Sequence, residues 1–511
     1  MYPPTIAGTH PDRIAYVLAA SGGDAPDQGP GTTAGQITYA ELDAESNRLA
    51  HYWREAGVRP GDCVVIVMEN NIWWPVVTAA GMRSGVYVTP VNWHLTAAEL
   101  GILLGEADPA AIVTSDRLAG TVLSAAAMYR GTSGRTPDVL CADRTTSTGD
   151  ACTSWPAIRT RWPTTPIDNE LLGARVLFSG GTTGRPKRFA QPLRGIHPEA
   201  APARHSELAA KLGIDGNTVL LLPAPNYHAA PFTFTLIVLA AGGTVVCMDR
   251  FDAAAAMTAI IEHGVTHSQW VPTMLVRLLR LEDRDRIPLS PTHRTAFTSG
   301  APCPAHLKAA IDDWWGPILH EYYGASEGYG HTYISPEDAR THPGSVGKSL
   351  GSTRIHIMKD GVELPAGQDG TVCFEAMGTA AYKEMGDIGH LDDDGFLYLV
   401  GRAGYLIISG GVNIYPEEIE DALSEHAAVT DAAVIGVPDP EFGESVKAIV
   451  ELTPGHEATA EELIAHCRTR IAGFKVPRII EIVADLPRLP TGKLNKPTLV
   501  ERYGAATTSA P

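Results

Sequence analysis

The sequence predicts an α/β protein: a large N-terminal α/β domain with layered sheets and a small β-rich subdomain, followed by a small α+β C-terminal domain. Three observations lead to this prediction. Helix-like and strand-like patterns alternate through the first third, short strands and turns dominate after Gly351, and the pattern changes again at about residue 402. A chain of 511 residues is also too long for one core. We therefore expect domains at residues 1–401 and 402–511.

The first domain begins with alternating elements separated by turn residues. Residues 40–50 have the amphipathic pattern of a helix, and the turn Pro60-Gly61-Asp62 leads into an apolar strand over 63–68. The alternation continues with a helix over 74–83 and a strand over 86–91. Residues 127–168 are rich in Thr, Ser, Pro and Gly, so we expect a long surface connection there.

Further elements follow in the same order. We expect a strand at 245–248 and helices at 253–263 and 273–281. The β-rich part has predicted strands at 354–358, 371–375 and 396–400. In the C-terminal domain, acidic first turns indicate helices at 416–425 and 460–471, beside strands at 405–408 and 432–437.

Composition excludes several classes of partner. Hydrophobic residues make up 44% of the chain and charged residues 19%, as in ordinary globular proteins. A net charge of −18 argues against nucleic acid or an anionic membrane as a partner. There is neither a secretory signal nor an apolar run of transmembrane length. Seven scattered cysteines without a CxxC pair favour reduced thiols over a zinc site, so we expect a cytoplasmic protein.

The first motif is a glycine- and hydroxyl-rich loop after an apolar strand. Residues 179–187 read Ser-Gly-Gly-Thr-Thr-Gly-Arg-Pro-Lys. Glycines allow backbone N–H groups to approach an anion closely, while hydroxyls and cations add hydrogen bonds and charge. Lys187 lies three residues after Gly184, so this is not a Walker P-loop. The loop is typical of a polyphosphate site, although alone it would also fit a surface turn.

Four weaker motifs follow in the chain. Residues 322–328 combine a stacking aromatic, a glycine, a hydroxyl and a carboxylate, which suits a purine and a magnesium ion. Asp387 and Arg402 flank a turn-rich hairpin and together suit a ribose, or are solvated loop charges. Residues 407–416 are a strand, a glycine turn and the start of a helix, and Lys493 follows a Pro-Thr-Gly turn.

Together, these motifs in this order resemble the superfamily of adenylate-forming enzymes, which includes acyl-CoA synthetases, nonribosomal peptide adenylation domains and firefly luciferase. The resemblance covers nearly the whole chain, from residue 37 to Lys493. It is greatest to fatty-acyl and aryl acid–CoA ligases, because of residues 225–231 (Pro-Asn-Tyr-His-Ala-Ala-Pro) and 409–416 (Ser-Gly-Gly-Val-Asn-Ile-Tyr-Pro).

The resemblance implies a reaction in two steps. A carboxylate attacks the α-phosphate of ATP, pyrophosphate leaves, and a thiol, usually of CoA, then displaces AMP from the acyl-AMP. A mobile C-terminal domain rotates about a hinge between the steps. The implied cofactors are ATP, Mg²⁺ and CoA, and the implied partners are a small acid and CoA or another small acceptor. The sequence does not indicate the oligomeric state.

The same resemblance assigns roles to individual residues. The implied nucleotide-binding residues are Thr182, Thr183, Gly184 and Lys187 at the phosphates, Gly300, Ala301, Pro302, Tyr323 and Gly324 around adenine, Ser326 at the α-phosphate, and Asp387 with Arg402 at the ribose. The implied catalytic residues are Lys493, which bridges the attacking carboxylate and the α-phosphate, His228 at the mouth of the acyl pocket, and Glu327, which binds Mg²⁺. The thiol channel is lined by Gly410 and Gly411.

The acid pocket and the acceptor are less defined. Tyr227, Phe232, Trp270 and Tyr329 are expected pocket residues, and Trp270 with Tyr329 either shortens the pocket for an aryl or medium-sized acid or packs outside it. Gly404 stands where the family hinge usually has Asp or Lys. This departure keeps open an alternative in which the enzyme adenylates an acid or a small oxyacid such as nitrite and uses an amine or a carrier protein as acceptor. An inactive nucleotide-binding protein is disfavoured because Lys187, Glu327, Asp387 and Lys493 are all present.

Overall fold

The computed structural model describes residues 2–20, 35–129, 131, 133–144, 152–179, 187–201, 207–282, 284–301, 303–324, 329–375, 382–409, 412–439, 442–489 and 493–504. Contacts within the chain define two compact units. The first unit consists of Met1–Trp270 with Arg280–Ala296, and the second of Val271–Leu279 with Phe297–Pro511.

The first unit alternates helices and strands, as the sequence predicts. Its elements are α1 (Pro3–Ala7), β1 (Ile14–Ala19), β2 (Gln36–Thr38), α2 (Tyr39–Glu55), β3 (Cys63–Val67), α3 (Trp73–Ser84), β4 (Tyr87–Pro90), α4 (Ala97–Ala107), β5 (Pro109–Thr114), α5 (Ala119–Met128), β6 (Asp138–Cys141), β7 (Thr153–Ser154), α6 (Trp155–Ile158), β8 (Ala174–Ser179), β9 (Lys187–Ala190), α7 (Glu207–Lys211), β10 (Val219–Leu222), α8 (Ala229–Ala241), β11 (Thr244–Met248), α9 (Ala253–Glu262) and β12 (His267–Trp270). β13 (Thr295–Thr298) spans the point where the chain passes to the second unit.

Two mainly parallel sheets organise the first unit. One has the order β7-β6-β5-β3-β4-β8-β9, and the other contains the run β2-β1-β11-β10-β12. β10 pairs in parallel with both β11 and β12, so the carboxyl ends of these strands lie at one edge of the sheet. Predicted binding residues follow that edge, since Tyr227 comes after β10 and Trp270 ends β12.

The seven-stranded sheet is packed against helices α4 and α5. Val65 and Ile112 from the sheet meet Leu104 and Val122 from the helices in one buried cluster. Burying each such side chain contributes about 1.5–3 kcal/mol. Helix α4 also begins with a reciprocal cap, in which Thr96 accepts from the backbone N–H of Glu99 while the Glu99 carboxylate accepts from the backbone of Thr96.

The second unit is built mainly from antiparallel strands. Its elements are α10 (Pro272–Leu279), α11 (Ala305–Trp315), β14 (Leu319–Gly324), β15 (His331–Ile334), α12 (Pro336–Thr341), β16 (Ser345–Ser349), β17 (Arg354–Lys359), β18 (Val362–Glu363), β19 (Gly370–Glu375), β20 (Tyr382–Leu391), β21 (Leu397–Arg402), β22 (Ile407–Ser409), β23 (Val412–Ile414), α13 (Pro416–Ser424), β24 (Val429–Asp439), β25 (Gly443–Leu452), α14 (Ala460–Arg468), β26 (Ile479–Val483) and α15 (Lys496–Tyr503). Short 3₁₀ turns complete the two units at Asp116–Leu118, Arg159–Arg161, Pro198–Ala200, Arg284–Arg286 and Ala403–Tyr405.

Strands of the second unit form an antiparallel run, β14-β15-β16-β21-β20-β19-β17-β18, and a separate sheet, β23-β22-β25-β24, with β26 paired to β25. β24 is buried on both faces. Val434 packs with Ile419 of α13 and Leu463 of α14, whereas the next residue, Ile435, packs with Leu499 of α15. Helices thus cover both sides of this small sheet, which is the α+β arrangement that the sequence predicts for the C-terminal region.

Two expectations from the sequence need correction. The stretch 127–168 is not a long connection without structure, because it contains β6, β7 and α6, and its Trp155 is 1% exposed. The expected strand over 405–408 begins only at Ile407, since Tyr405 ends a 3₁₀ turn. Among the described residues, no helix combines the length and apolarity needed to cross a lipid bilayer.

Candidate active site

Tyr323 and Asp387 contact each other directly in the second unit. Tyr323 lies near the end of β14, and its hydroxyl donates to Oδ2 of Asp387 on β20 across 2.5 Å. Its ring also packs against Phe374, with the ring centroids 6.2 Å apart. Asp387 is only 7% exposed, so the tyrosine fixes the direction of a buried carboxylate. A carboxylate accepts hydrogen bonds, so its chemistry suits a ligand with hydroxyl donors.

Asp387 and Arg402 are opposite each other in a hairpin. β20 and β21 are antiparallel, and the register places these two residues side by side. A turn-rich segment lies between the two residues in the sequence, and the strand pairing brings them together in space. The backbone of Arg402 is described, whereas its side chain lies outside the described part.

Gly300 and Lys493 form a second contact within this unit. Gly300 has φ = +89°, a conformation that favours glycine. A Cβ atom at this position would lie 3.6 Å from Cε and 3.7 Å from Nζ of Lys493. The backbone N–H of Leu489 donates to the carbonyl of Lys493 across 2.8 Å. The ammonium group is therefore held against the backbone that follows β13.

Ala301 follows Gly300 in the chain and Gly324 follows Tyr323, and the two differ in exposure. Ala301 is half-buried, whereas Gly324 at the end of β14 is exposed. A Cβ atom at Gly324 would lie 2.5 Å from the His331 ring and 2.8 Å from the carbonyl of Gly330. Only glycine fits here without a shift of the neighbouring strand, so the exposed backbone of Gly324 carries no side chain.

The predicted hinge lies in the short turn that follows β21. Gly404 is exposed, and a Cβ atom added to it would have no neighbour within 4 Å. Tyr405 is contacted by Lys496, whose ammonium lies 5.5 Å from the ring centroid and also donates to Glu420 across 2.6 Å. The glycine is thus not required by packing, and the turn is attached to the C-terminal sheet region through its tyrosine.

In the first unit, Tyr227 and His228 stand at the beginning of α8. Their ring centroids are 4.1 Å apart, and His228 is the N-cap residue of the helix. The preceding residue, Asn226, is anchored in the core. Its amide nitrogen donates to Tyr16 and its oxygen accepts from Thr235. This anchor fixes the backbone from which the two rings project.

Phe232 and Trp270 are almost fully buried. Phe232 packs edge-on against Trp74, with centroids 6.3 Å apart. The Trp270 indole N–H donates to Ser268 Oγ across 2.6 Å, and Ser268 Oγ lies 2.8 Å from Nε2 of His293. Burial lowers the pKa of His293 to about 4, so its ring is neutral at pH 7 and can accept from the serine.

Sequence reasoning missed Ser268 and His293. Ser268 lies two residues before Trp270, so strand alternation puts both side chains on one face of β12, and that signal was available. His293 lies in a loop 25 residues further along the chain, and no local pattern connects it to the strand.

Tyr329 packs within the second unit. It lies beside a buried cluster that includes Val346, Val372 and Phe374, and the Lys383 ammonium lies 5.9 Å from its ring centroid. Arg188 places its guanidinium 5.1 Å from the ring centroid of Tyr87.

Part of the predicted nucleotide site lies outside the described residues. This applies to Thr182, Thr183, Gly184, Pro302, Ser326, Glu327, Gly410 and Gly411. Lys187 is described through its backbone in β9, where it pairs with Ser179 of β8. The apolar strand before the glycine-rich loop and the strand after it are thus antiparallel neighbours.

Comparison with known proteins finds relatives that match most of the chain. The model of the AMP-binding enzyme family matches residues 5–381, and that of the AMP-binding enzyme C-terminal domain matches residues 418–493. Feruloyl-CoA synthase from Amycolatopsis sp is 30% identical over 503 residues, covering 92% of this chain and 94% of that protein. The long-chain-fatty-acid–CoA ligase FadD13 from Mycobacterium tuberculosis is 28% identical over 487 residues, with the same two coverages.

Solved structures share the fold as well. ATP-bound MatB from Rhodopseudomonas palustris superimposes with a TM-score of 0.80 at 25% identity over 99% of both chains. The amide bond synthetase McbA from Marinactinospora thermotolerans gives a TM-score of 0.78 at 25% identity, over 98% of this chain and 99% of that one. These matches confirm the predicted fold class and the resemblance on which the site residues were assigned. The chain belongs to the AMP-binding enzyme family, whose members form adenylates from ATP.

Proposed function

We propose that the chain is an ATP-dependent acid–CoA ligase that forms an acyl-AMP, releases pyrophosphate and then transfers the acyl group to the thiol of CoA. The contact between Lys493 and Gly300 supports this proposal most directly, because it brings a cation to the backbone that is expected to border the adenine site. The relatives named as CoA ligases support a thiol as acceptor.

In the first step, a carboxylate oxygen attacks the α-phosphorus of ATP and the bond to the pyrophosphate leaving group breaks. Lys493 would neutralise the charge that accumulates between the two anions as they approach. Tyr323 would stack on adenine, and Asp387, oriented by the tyrosine hydroxyl, would accept hydrogen bonds from the ribose. Arg402, paired with Asp387 in the hairpin, would assist at the ribose.

The phosphates and the metal would be bound by the remaining predicted residues. Thr182, Thr183, Gly184 and Lys187 would hold the β- and γ-phosphates, Ser326 the α-phosphate, and Glu327 would be the protein ligand of Mg²⁺. Mg²⁺ is usually bound through one or two carboxylates together with substrate phosphates, so a single glutamate is sufficient.

For the second step, we propose that residues 402–511 move relative to residues 1–401 about the turn at Gly404. The glycine has no packing role, which leaves this turn free to change its backbone angles. Gly410 and Gly411 would then line the channel for the thiol, with His228 at the mouth of the acid pocket.

A second candidate keeps the adenylation and changes the acceptor. The similarity to an amide bond synthetase and the glycine at the hinge favour it. In this case an amine or a carrier protein would take the acyl group, or nitrite would be activated in place of a carboxylic acid.

Mass spectrometry of the products tests both candidates. The enzyme is incubated with ATP, Mg²⁺ and a pool of aliphatic and aryl acids, with and without CoA, and in parallel with nitrite and aryl amines. Acyl-CoA that forms only when CoA is present supports the ligase. AMP with an amide or N–N product, and no consumption of CoA, supports the second candidate. Absence of pyrophosphate release in every reaction would contradict both.

A further inference from the structure

Among the buried side-chain atoms of the described residues that have no hydrogen-bond partner, two belong to groups near the carboxyl ends of β10 and β12. They are the hydroxyl of Tyr227, which is 6% exposed, and Oε1 of Gln269, which is 4% exposed. A buried polar atom left unpaired costs about 1–3 kcal/mol, so each such atom needs an explanation. The mechanism above uses neither of them.

The other buried amide side chains of the described residues have hydrogen-bond partners. In the described part of the chain, the buried amide side chains are Asn47, Asn70, Asn71, Asn226 and Gln269, and the amide oxygen of Gln269 alone is unpaired among them. Asn226 shows how complete such pairing is, since its nitrogen donates to Tyr16 and its oxygen accepts from Thr235. Among the buried amide side chains of the described residues, an unpaired oxygen is therefore the exception.

Both groups belong to the same edge of one sheet. β10 and β12 are adjacent parallel strands, with Leu221 opposite Ser268, so Gln269 is one residue further toward the carboxyl ends. Tyr227 lies on the segment that leaves the carboxyl end of β10 and enters α8. The carboxyl edge of a parallel sheet is where open α/β folds bind their ligands. Strand alternation also directs Gln269 to the face opposite Trp270.

We propose that Tyr227 and Gln269 are specificity-determining residues that recognise a hydroxyl group on the acid, so that the substrate class is a hydroxylated aryl acid. An amide oxygen accepts a hydrogen bond, and a phenol both donates and accepts. A hydroxyl on the ligand can donate to Gln269 and accept from Tyr227, which an apolar acyl chain cannot do. This inference rests on the proposed function, since it requires that the acid binds at this edge.

The selectivity should be large. A site built to hydrogen-bond a substrate hydroxyl strongly rejects the analogue that lacks it, because its own buried groups then remain unpaired. With two groups involved, we expect the hydroxylated acid to exceed its deoxy analogue by about tenfold or more in kcat/KM.

The test compares matched acids with matched variants. Pyrophosphate release is measured with 4-hydroxycinnamate against cinnamate and 3- or 4-hydroxybenzoate against benzoate, in the full chain. We expect the wild type to prefer one or more of the hydroxylated acids, and Tyr227→Phe and Gln269→Met to reduce the ratio to near one. Ser84→Ala is the control, because it removes another buried unpaired hydroxyl in α3, and it should keep the wild-type ratio. Equal use of all pairs by the wild type, or an unchanged ratio in both variants, would overturn the inference.

Thermal unfolding without ATP separates this inference from the proposed function. Hydroxylated acids should raise the melting temperature of the wild type more than their deoxy analogues, and this difference should vanish in Gln269→Met. If it does so while no acid supports pyrophosphate release, the hydroxyl site stands and the ligase proposal fails. If neither binding nor turnover depends on the hydroxyl, the site proposal fails. Acyl-CoA formation from other acids would then leave the ligase proposal intact.

Discussion

Among single residues, Lys493 carries the most specific expectation. Lys493→Ala removes the only charge proposed to bridge the carboxylate and the α-phosphate, so acyl-AMP formation should fall by roughly 10²-fold or more. Conversion of chemically prepared acyl-AMP to the thioester should be retained. The measurement is pyrophosphate release beside thioester formation from the preformed adenylate. Lys359→Ala, at an exposed position in β17, is the control and should leave both rates unchanged. An equal loss in both half-reactions would contradict the proposed role.

Arg83 shows what a buried charge does for stability in the first unit. Its side chain is fully buried, donates to Asp43 across 2.6 Å and lies 3.3 Å from Glu170, which is also buried. Removal of one member of such a group leaves uncompensated buried charge, which costs about 3–5 kcal/mol.

Arg83→Met should therefore lower the free energy of unfolding by about 3–5 kcal/mol, measured by urea denaturation. The matched control is Arg135→Met, which breaks the exposed pair with Asp62 at 2.9 Å and should cost less than about 1 kcal/mol. If the two variants lose similar amounts of unfolding free energy, the buried ion pairs of Arg83 stabilise the fold no more than an exposed pair does.

At the level of elements, Gly347 in a strand and Gly404 in a turn differ in the space that is available for a side chain. Gly347 in β16 has φ = +93°, and a Cβ atom there would lie 2.0 Å from the carbonyl oxygen of Tyr333. Gly404 in the hinge turn has no neighbour within 4 Å of a Cβ atom. Gly347→Ala should thus destabilise the fold by more than about 1 kcal/mol, whereas Gly404→Ala should change stability by less than about 0.5 kcal/mol.

Thermal unfolding of the two glycine variants checks this difference. The second half-reaction is then measured in Gly404→Ala, because restriction of the turn should slow a step that depends on rotation of the C-terminal region more than it slows adenylation. If Gly404→Ala unfolds as easily as Gly347→Ala, the turn has a packing role that the structure does not contain.

The sequence predicts regular elements well where local patterns are complete. Helix α2 is expected at 40–50 and extends over Tyr39–Glu55. The cap formed by Thr38 and Glu41 marks its start, and the next turn residues, Pro60-Gly61-Asp62, come only after its end. The stretch 127–168 failed because β6 and β7 are four and two residues long and are stabilised by pairing with β5 and with each other. Strands this short have no detectable period.

The same limit applies to the site. The order of the motifs predicts Asp387, Arg402 and Lys493 as site residues, and the hairpin register places the first two together. The bond from Tyr323 to Asp387 joins residues 64 positions apart, and nothing local encodes it. Domain boundaries at 401/402, the phosphate residues and the cytoplasmic location remain predictions.

For the whole molecule, the two units carry titratable groups with opposite effects. In the first unit, burial lowers the pKa values of His267 and His293 from 6.5 to about 4. Below pH 6.5 the unfolded chain binds protons at these histidines while the folded unit does not. Each histidine therefore reduces the stability of this unit, by up to roughly 3 kcal/mol, as the pH falls from about 6.5 to about 4.

In the second unit, Asp421 acts in the other direction. Burial, followed by the neighbouring Glu420 and Glu417, raises its pKa from 3.8 to about 7. The folded unit thus binds a proton at pH values where the unfolded chain does not. Its stability rises as the pH falls from about 7 toward 3.8, and the contribution is lost as the pH rises through 7.

Hydrogen exchange at pH 7.5 and 5.5, corrected for intrinsic rates and read segment by segment, should therefore show opposite changes. Protection of β12, which carries His267, should decrease at the lower pH, while protection of α13, which carries Asp421, should increase. Asp421→Asn should abolish the change in α13 and leave that in β12, since the substitution removes only the proton of the second unit. Protection that falls in both elements of the wild type would mean that the two units respond to acid as one cooperative body, and the assignment of the pH response to separate groups would then be wrong.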